Sequence, residues 1–205
     1  MSNYLAIDTS SGYLTVLAQK GTKSVLRHTG NCAMRHSVVL MDEIDAALSE
    51  VELTPDECDF FAAVTGPGSF TGIRIGISAA KGFALAAGKP LKPVTAFDML
   101  AYNVNSKNFY IAIDAAHGYY YVCGYKDGEI CLAPCYMSGE DVELLKAPVF
   151  GFEDLNIKGY TRLDVRGCLK TAVERCNILS DSMHALYVRK SQAEEALCAN
   201  KRMEL

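Results

Sequence analysis

The residues that could do chemistry fall at three places in this 205-residue chain. The first is Asp8-Thr9-Ser10-Ser11, an acidic, hydroxyl-rich turn behind the apolar run Leu5 to Ile7. A carboxylate placed there can hold a hydrated magnesium between phosphates, or it can cap its own turn. The second is Asp114, which follows Ala112-Ile113 in the same manner. The third is the stretch Thr65-Gly66-Pro67-Gly68-Ser69-Phe70-Thr71-Gly72-Ile73-Arg74-Ile75-Gly76. With the apolar run Phe60 to Val64 before it and helix-compatible Ile73 to Ala87 after it, it reads as strand, glycine turn, helix. Such a layout suits an anion-binding loop, because the first free N–H groups of the helix point above the turn. Neither a Walker lysine at the right offset nor a dinucleotide G-x-G-x-x-G is present.

Other reactive side chains are less promising. No His or Lys base lies near Thr9, Ser10 or Ser11 in sequence to make one a nucleophile. The four histidines, His28, His36, His117 and His184, share no helix-face spacing suited to a metal. His36 heads a helix and reads as a partly exposed helix-start side chain. His117 beside Tyr119, Tyr120 and Tyr121 could offer a base-stacking platform, although tyrosines in a strand point to alternate faces and favour packing. The eight cysteines, with Cys131/Cys135 and Cys168/Cys176 among the closest pairs, match no C-x-x-C motif and read as reduced structural thiols. Arg189-Lys190 with Lys201-Arg202 is offset by Glu194, Glu195 and Glu204, which reads as a solvated helix face.

Local patterns assign the elements that must position these groups. Strands are expected at Leu5 to Ile7, Leu14 to Ala18, Ser24 to His28, Phe60 to Val64, Leu91 to Val94 and Pro148 to Phe150. Helices are expected from His36 with Leu40, Ile44, Ala47 and Leu48 on one face, over Ile73 to Ala87, and from Thr95. Further helices are expected at Ser138 to Leu145, Leu169 to Leu179 and Ser191 to Met203. The second half also repeats the first. Ala6-Ile7-Asp8, Gly12-Tyr13 and Val16 recur as Ala112-Ile113-Asp114, Gly118-Tyr119 and Val122, six identities in an eleven-residue window. Each copy is followed by a hairpin turn, at Gly21 and at Asp127-Gly128. The expected fold is α/β with mixed sheets flanked by helices, in the two-lobed actin and sugar-kinase (ASKHA, RNase H-like) architecture. The lobes are expected over 1–104 and 105–205, with the terminal helix packing back on the first.

Composition narrows the class of partner. A net charge of −4 and a pI of about 5.6 give no overall basic footprint, which disfavours tight RNA or DNA binding by the chain alone. The start Met1-Ser2-Asn3-Tyr4 shows no signal peptide, so a cytoplasmic location is expected. The most apolar helix is too short for a bilayer and carries Arg74 and Lys81, so no membrane association is expected.

Three features together resemble the TsaB (YeaZ) family: Leu5-Ala6-Ile7-Asp8-Thr9-Ser10, the stretch from Gly66 to Gly76, and Ile113-Asp114-Ala115. Weaker echoes are Arg35-His36-Ser37 and Leu186-Tyr187-Val188-Arg189. The resemblance implies a non-catalytic subunit for making threonylcarbamoyladenosine (t6A) in tRNA. Such a subunit binds and activates the catalytic paralogue TsaD as a heterodimer. It further implies an ATPase, TsaE, docking on the pair, tRNA met only through the complex, and a homodimer when the chain is alone. Any ATP or ADP with Mg belongs at the level of the complex. Asp8, Thr9, Ser10 and Asp114 would be vestigial nucleotide turns. The paralogue's metal-binding H-x-x-x-H has no counterpart here, where the chain reads Pro93-Val94-Thr95-Ala96-Phe97-Asp98-Met99-Leu100. A metalloprotease reading loses its ligands. The second Asp turn also departs from the family pattern, since Asp114-Ala115-Ala116-His117-Gly118 lacks the usual Arg and Gly-Glu. The carboxyl-terminal half is shorter than the family suggests.

The alternative is a free-standing ATPase or kinase-like enzyme using the two Asp turns. Gly68, Gly72, Gly76, Ala80, Ala84 and Gly88 fall at every fourth position, a stripe of tiny side chains along one helix face. Glycine inside a helix costs about 1 kcal/mol, so a close neighbour is expected. That neighbour is either the His36 to Leu48 helix or a partner's helices. Gly72, Gly76, Ala80 and Ala84 with Ile73 and Ile77 are accordingly the interface candidates.

Overall fold

The structure, a computed structural model, describes residues 1–189. Runs of apolar and β-branched residues build β1 (Tyr4–Asp8), β2 (Leu14–Lys20) and β3 (Lys23–Thr29) as an antiparallel meander. After α1 (His36–Val51), β4 (Phe60–Val64) pairs parallel with β1. Helix α2 (Phe70–Ala87) then returns the chain to β5 (Leu91–Val94), parallel to β4, and α3 (Ala96–Ala101) follows. The second half lays down β6 (Asn108–Asp114), β7 (Tyr119–Lys126) and β8 (Glu129–Ser138), again an antiparallel meander. It continues through α4 (Gly139–Glu143), β9 (Val149–Gly151), β10 (Tyr160–Arg162) and α5 (Val165–Arg175).

The two five-stranded sheets have the same order. Strands run β3-β2-β1-β4-β5 in one and β8-β7-β6-β9-β10 in the other, so the short sequence repeat marks a duplication of the whole sheet. The copies differ where helices should be. Between β4 and β5 stands α2, whereas between β9 and β10 only the loop 152–159 connects the strands. The helix expected at Leu169 to Leu179 starts four residues earlier, because Asp164 caps it through the Arg166 N–H at 3.1 Å. The expected terminal helix at Ser191 to Met203, and its packing on the first lobe, lie outside the described residues, as do Lys190, Lys201 and Arg202.

Side-chain alternation sorts the core into layers. Leu5 and Ile7 of β1 face α1 and α2, and Tyr4 and Ala6 face α3 and α5. Phe109, Ile111 and Ile113 of β6 close the same inter-sheet core from the other side, while Ala112 faces α4 with Val122 and Val142. With both faces covered, β1 carries no exposed residue. Residues 177–189 then run back as a strap. Ser180 exchanges two 2.9 Å backbone bonds with Leu91, Met183 is buried against α2, and the Leu186 N–H donates to the Thr65 carbonyl at 2.8 Å.

The stripe of small residues on α2 faces inward, onto the end of β1. A Cβ on Gly72 would fall on the Thr9 carbonyl oxygen, and one on Gly76 would crowd the Thr9 hydroxyl. The close neighbour of the stripe is thus the turn after β1, rather than the His36 to Leu48 helix or a partner. Gly72→Ala is expected to destabilise the fold by about 2–3 kcal/mol, the usual cost of overpacking. At Gly82, exposed in the same helix with open space around it, alanine should stabilise by about 1 kcal/mol. Paired urea denaturation curves of the two variants check both signs.

Candidate functional site

The first Asp turn is closed by its own neighbours. Asp8 is buried, and its Oδ1 accepts from the Ser10 N–H at 2.9 Å and the Ser10 hydroxyl at 2.7 Å. Its Oδ2 accepts from the Tyr13 hydroxyl at 2.8 Å. Burial pushes the Asp8 carboxyl up from the ordinary carboxylate range, and it pushes the Tyr13 phenol up as well. The Tyr13 ring packs edge-on against Phe152, which follows β9 of the second sheet, with centroids 5.5 Å apart. Below the turn, an imidazole nitrogen of His36 bonds the Tyr13 carbonyl at 2.9 Å. His36 is therefore a buried brace, not the partly exposed helix-start side chain that its position suggested, because α1 begins directly beneath the turn.

The glycine loop locks onto the same turn. The Ser69 N–H donates to the Ser10 carbonyl at 2.7 Å, and the Thr9 hydroxyl donates to the Gly72 carbonyl at 2.6 Å. Gly68 adopts φ 152°, and a Cβ there would strike the Ser10 carbonyl, so only glycine serves. Ser69 caps α2 by accepting from the Gly72 N–H at 3.2 Å. Much of the donor and acceptor capacity of an anion cradle is here spent on holding Asp8-Thr9-Ser10 against α2.

The second turn is built differently. Asp8 pairs with Thr15 across β1 and β2, whereas Asp114 pairs with Tyr120, so the second connection is one residue shorter. That slip moves Tyr119, the counterpart of Tyr13, out of the turn and into a strand, where it is exposed and forms no bond to Asp114. Asp114 lies exposed, its Oδ1 accepting from the Ala116 N–H at 3.0 Å. Ala116, His117 and Gly118 then follow one another with positive φ. Where α2 would cover the turn, Glu153 stands instead, its carboxylate accepting from the Asp114 N–H at 2.7 Å. Burial raises the Glu153 carboxyl to about 7, with the Asp114 charge adding to the shift. Glu153 was missed because nothing in the sequence of a short loop points back to a turn thirty-nine residues earlier.

The remaining candidates fall into the core or the surface. Gly72, Ile73, Gly76, Ile77, Ala80 and Ala84 are all buried inside this chain. The face they form packs on β4 and β1 of this chain, so the exposed surface of α2 is carried by its other residues. The place of the paralogue's histidine pair is core too, since Val94, Ala96, Phe97, Met99 and Leu100 are buried between the sheets. Asp98 there accepts from the Tyr125 hydroxyl at 3.0 Å and the Thr95 hydroxyl at 2.6 Å. Among the described residues, no group of three or more His, Cys, Asp or Glu is placed to hold a metal. Seven free cysteines are described; five are buried, while Cys131 is exposed and Cys135 half-buried. No helix among the described residues is long and apolar enough to cross a membrane.

Residues 30–159 match the family model described as TsaD, tRNA N6-adenosine threonylcarbamoyltransferase. The tRNA threonylcarbamoyladenosine biosynthesis protein TsaB of Bacillus subtilis is 30% identical over 48% of this chain and 43% of its own. That of Escherichia coli is 32% identical over 70% of this chain and 62% of its own. The chain belongs to the TsaB (YeaZ) family, within the matched TsaD family. It spans about half the length of the curated TsaB relatives it matches. A crystal structure from Pseudomonas aeruginosa, described as a protein with similarity to peptidase YeaZ, superposes with a TM-score of 0.74. It covers 92% of this chain and 100% of that one at 22% identity, which shows a shared fold.

The raised Glu153 carboxyl generates a pH dependence. From about 4.5 to about 7 the folded chain holds a proton that the unfolded chain has lost, so stability falls as pH rises through that window. Glu153→Gln keeps an acceptor for the Asp114 N–H and removes the titration. Its melting temperature is expected to exceed that of the wild type above pH 7 and to vary less between pH 5 and 7. Thermal melts across that range check the sign.

Proposed function

We propose that this chain is a non-catalytic partner subunit in tRNA threonylcarbamoyladenosine biosynthesis, binding the catalytic paralogue TsaD and holding it in a competent shape. The names of its relatives support the pathway. The observation that carries a docking role is the outer face of α1 and α2. Val38 and Met41 stand 68% and 51% exposed there, beside a shallow groove of about 460 Å³ whose apolar lining includes Leu40, Met41, Ile75 and Ala79. Large apolar side chains grouped at a groove mark an interaction site more often than a free surface. The inward stripe serves this face indirectly. By seating α2 on β1 it sets the height at which the outer residues are offered.

A catalytic role has less support. Both oxygens of Asp8 accept hydrogen bonds within the chain, filling three of the carboxylate's four lone-pair sites, and the side chain is buried, a poor setting for a hydrated magnesium. The second turn supplies an exposed Asp114 followed by two alanines, which offer no side-chain donors to a phosphate. We read Asp8, Thr9, Ser10 and Asp114 as structural turns, and assign nucleotide and magnesium to the assembled complex with TsaD and TsaE. We also read 1–104 and 105–205 as two lobes, supported by the matching strand order, with the strap 177–189 returning to the first.

Co-purification with TsaD tests the proposal. Val38→Asp and Met41→Glu lie on the outer face and leave the core untouched. Each is expected to cut recovery of the pair at least tenfold, since a charge buried without a partner costs several kcal/mol. Unchanged recovery with both folded variants would remove this face from the interface.

A further inference from the structure

The strap ends in an alternation. Leu186 and Val188 pack on the inter-sheet core, while Tyr187 and Arg189 stay exposed. Tyr187 meets the start of α2. Its ring lies 4.9 Å from that of Phe70, and the Arg74 guanidinium sits 3.7 Å from the Phe70 centroid while its Nε donates to the Tyr187 hydroxyl at 2.9 Å. Two residues on, Arg189 lies 4.9 Å over the ring of Tyr136 and donates to its hydroxyl at 3.0 Å. Tyr136 in turn stacks on Tyr119 with centroids 4.7 Å apart and planes 3° from parallel. The strap thus links two aromatic–guanidinium clusters into one row, from α2 to the edge of the second sheet.

Packing alone does not account for the exposure of this row. Phe70, Tyr187 and Tyr119 are 39%, 44% and 40% exposed, while the stacked pair Phe109 and Tyr125 elsewhere is buried. Cations gather at the α2 end of the row although the whole chain carries −4, while the Tyr119 end lies beside the acidic first turn of α4. Helix α2 contains Arg74 and Lys81 and no acidic residue, and Lys81 and His184 share a groove with Arg74 and Tyr187. Aromatic rings with guanidinium groups beside them are the chemistry that single-stranded RNA meets. Bases stack on the rings without hydrogen-bond readout, and phosphates pair with the cations.

We propose that the row Phe70, Arg74, Tyr187, Arg189, Tyr136 and Tyr119 binds single-stranded RNA. Unpaired bases stack at Tyr119 and at the Phe70–Tyr187 pair, and Arg74 meets a phosphate. The net negative charge of the chain makes this contact weak and salt-sensitive. It goes beyond the docking role, in which RNA reaches the chain only through the complex; Arg74 also lines the α1–α2 groove, while Phe70, Tyr187, Arg189, Tyr136 and Tyr119 stand outside its lining.

Fluorescence anisotropy of the purified chain with labelled decauridine, in about 50 mM salt, tests it without TsaD. Saturable binding is expected, with duplex RNA of the same length bound at least tenfold more weakly. Tyr119→Leu should weaken decauridine binding about tenfold and Tyr119→Phe should retain it. Arg74→Gln should weaken binding and lower the salt slope by about 0.7. No binding by the wild type, equal binding by Tyr119→Leu, or equal affinity for the duplex would each overturn the proposal. Failure of TsaD to co-purify would leave these outcomes unchanged, so the two readings fail separately.

Discussion

Two backbones touch where β1 ends, and the rest of the structure depends on that contact. The carbonyl oxygens of Thr9 and Ser10 occupy the space that side chains on Gly72 and Gly68 would fill. Helix α2 can therefore lie directly on the turn, pinned by the Thr9 hydroxyl and the Ser69 N–H. Interaxial and layer distances follow the smallest residues at a contact, so this approach sets how deep α2 sits against the sheet. It also buries Asp8 beneath its own helix, where Ser10 and Tyr13 supply the hydrogen bonds that a buried carboxylate requires. A motif with the outline of a phosphate loop thus becomes a packing joint, and the outward face of α2 becomes available for other uses.

The duplication shows what the joint is for. Both halves start from the same strand, Asp turn, strand pattern and reach the same sheet order. Only the first has a helix between its two parallel strands, and only there is the Asp turn covered. In the second, a connection one residue shorter moves Tyr119 into a strand, and Glu153 is left to hold the Asp114 N–H. One residue of register separates a clamped, buried turn from an exposed one.

Much of this fold was legible in the sequence because it is written in local periodicity. β4, β5 and the start of α1 fall at their expected residues, and the repeat at Asp8 and Asp114 foretold two like sheets. α5 starts ahead of the apolar face from Leu169 because the capping Asp164 precedes that face. The site was less legible. The spacing of Gly72, Gly76, Ala80 and Ala84 announced a close approach, but spacing carries no direction, and the partner is the chain's own turn. His36 and Glu153 act over separations of 23 and 39 residues. Such contacts depend on how sheets and helices stack, which no short window of sequence records.

The central claim is that the first Asp turn supports a docking surface and performs no chemistry. A transfer assay with purified TsaD and tRNA tests it most directly, comparing the wild-type chain with Asp8→Asn. Asparagine keeps the shape and the hydrogen bonds to Ser10 while removing the charge that a metal would need. The account predicts that folded Asp8→Asn stimulates threonylcarbamoyl transfer as the wild type does. Loss of stimulation by a folded Asp8→Asn chain that still binds TsaD would contradict it.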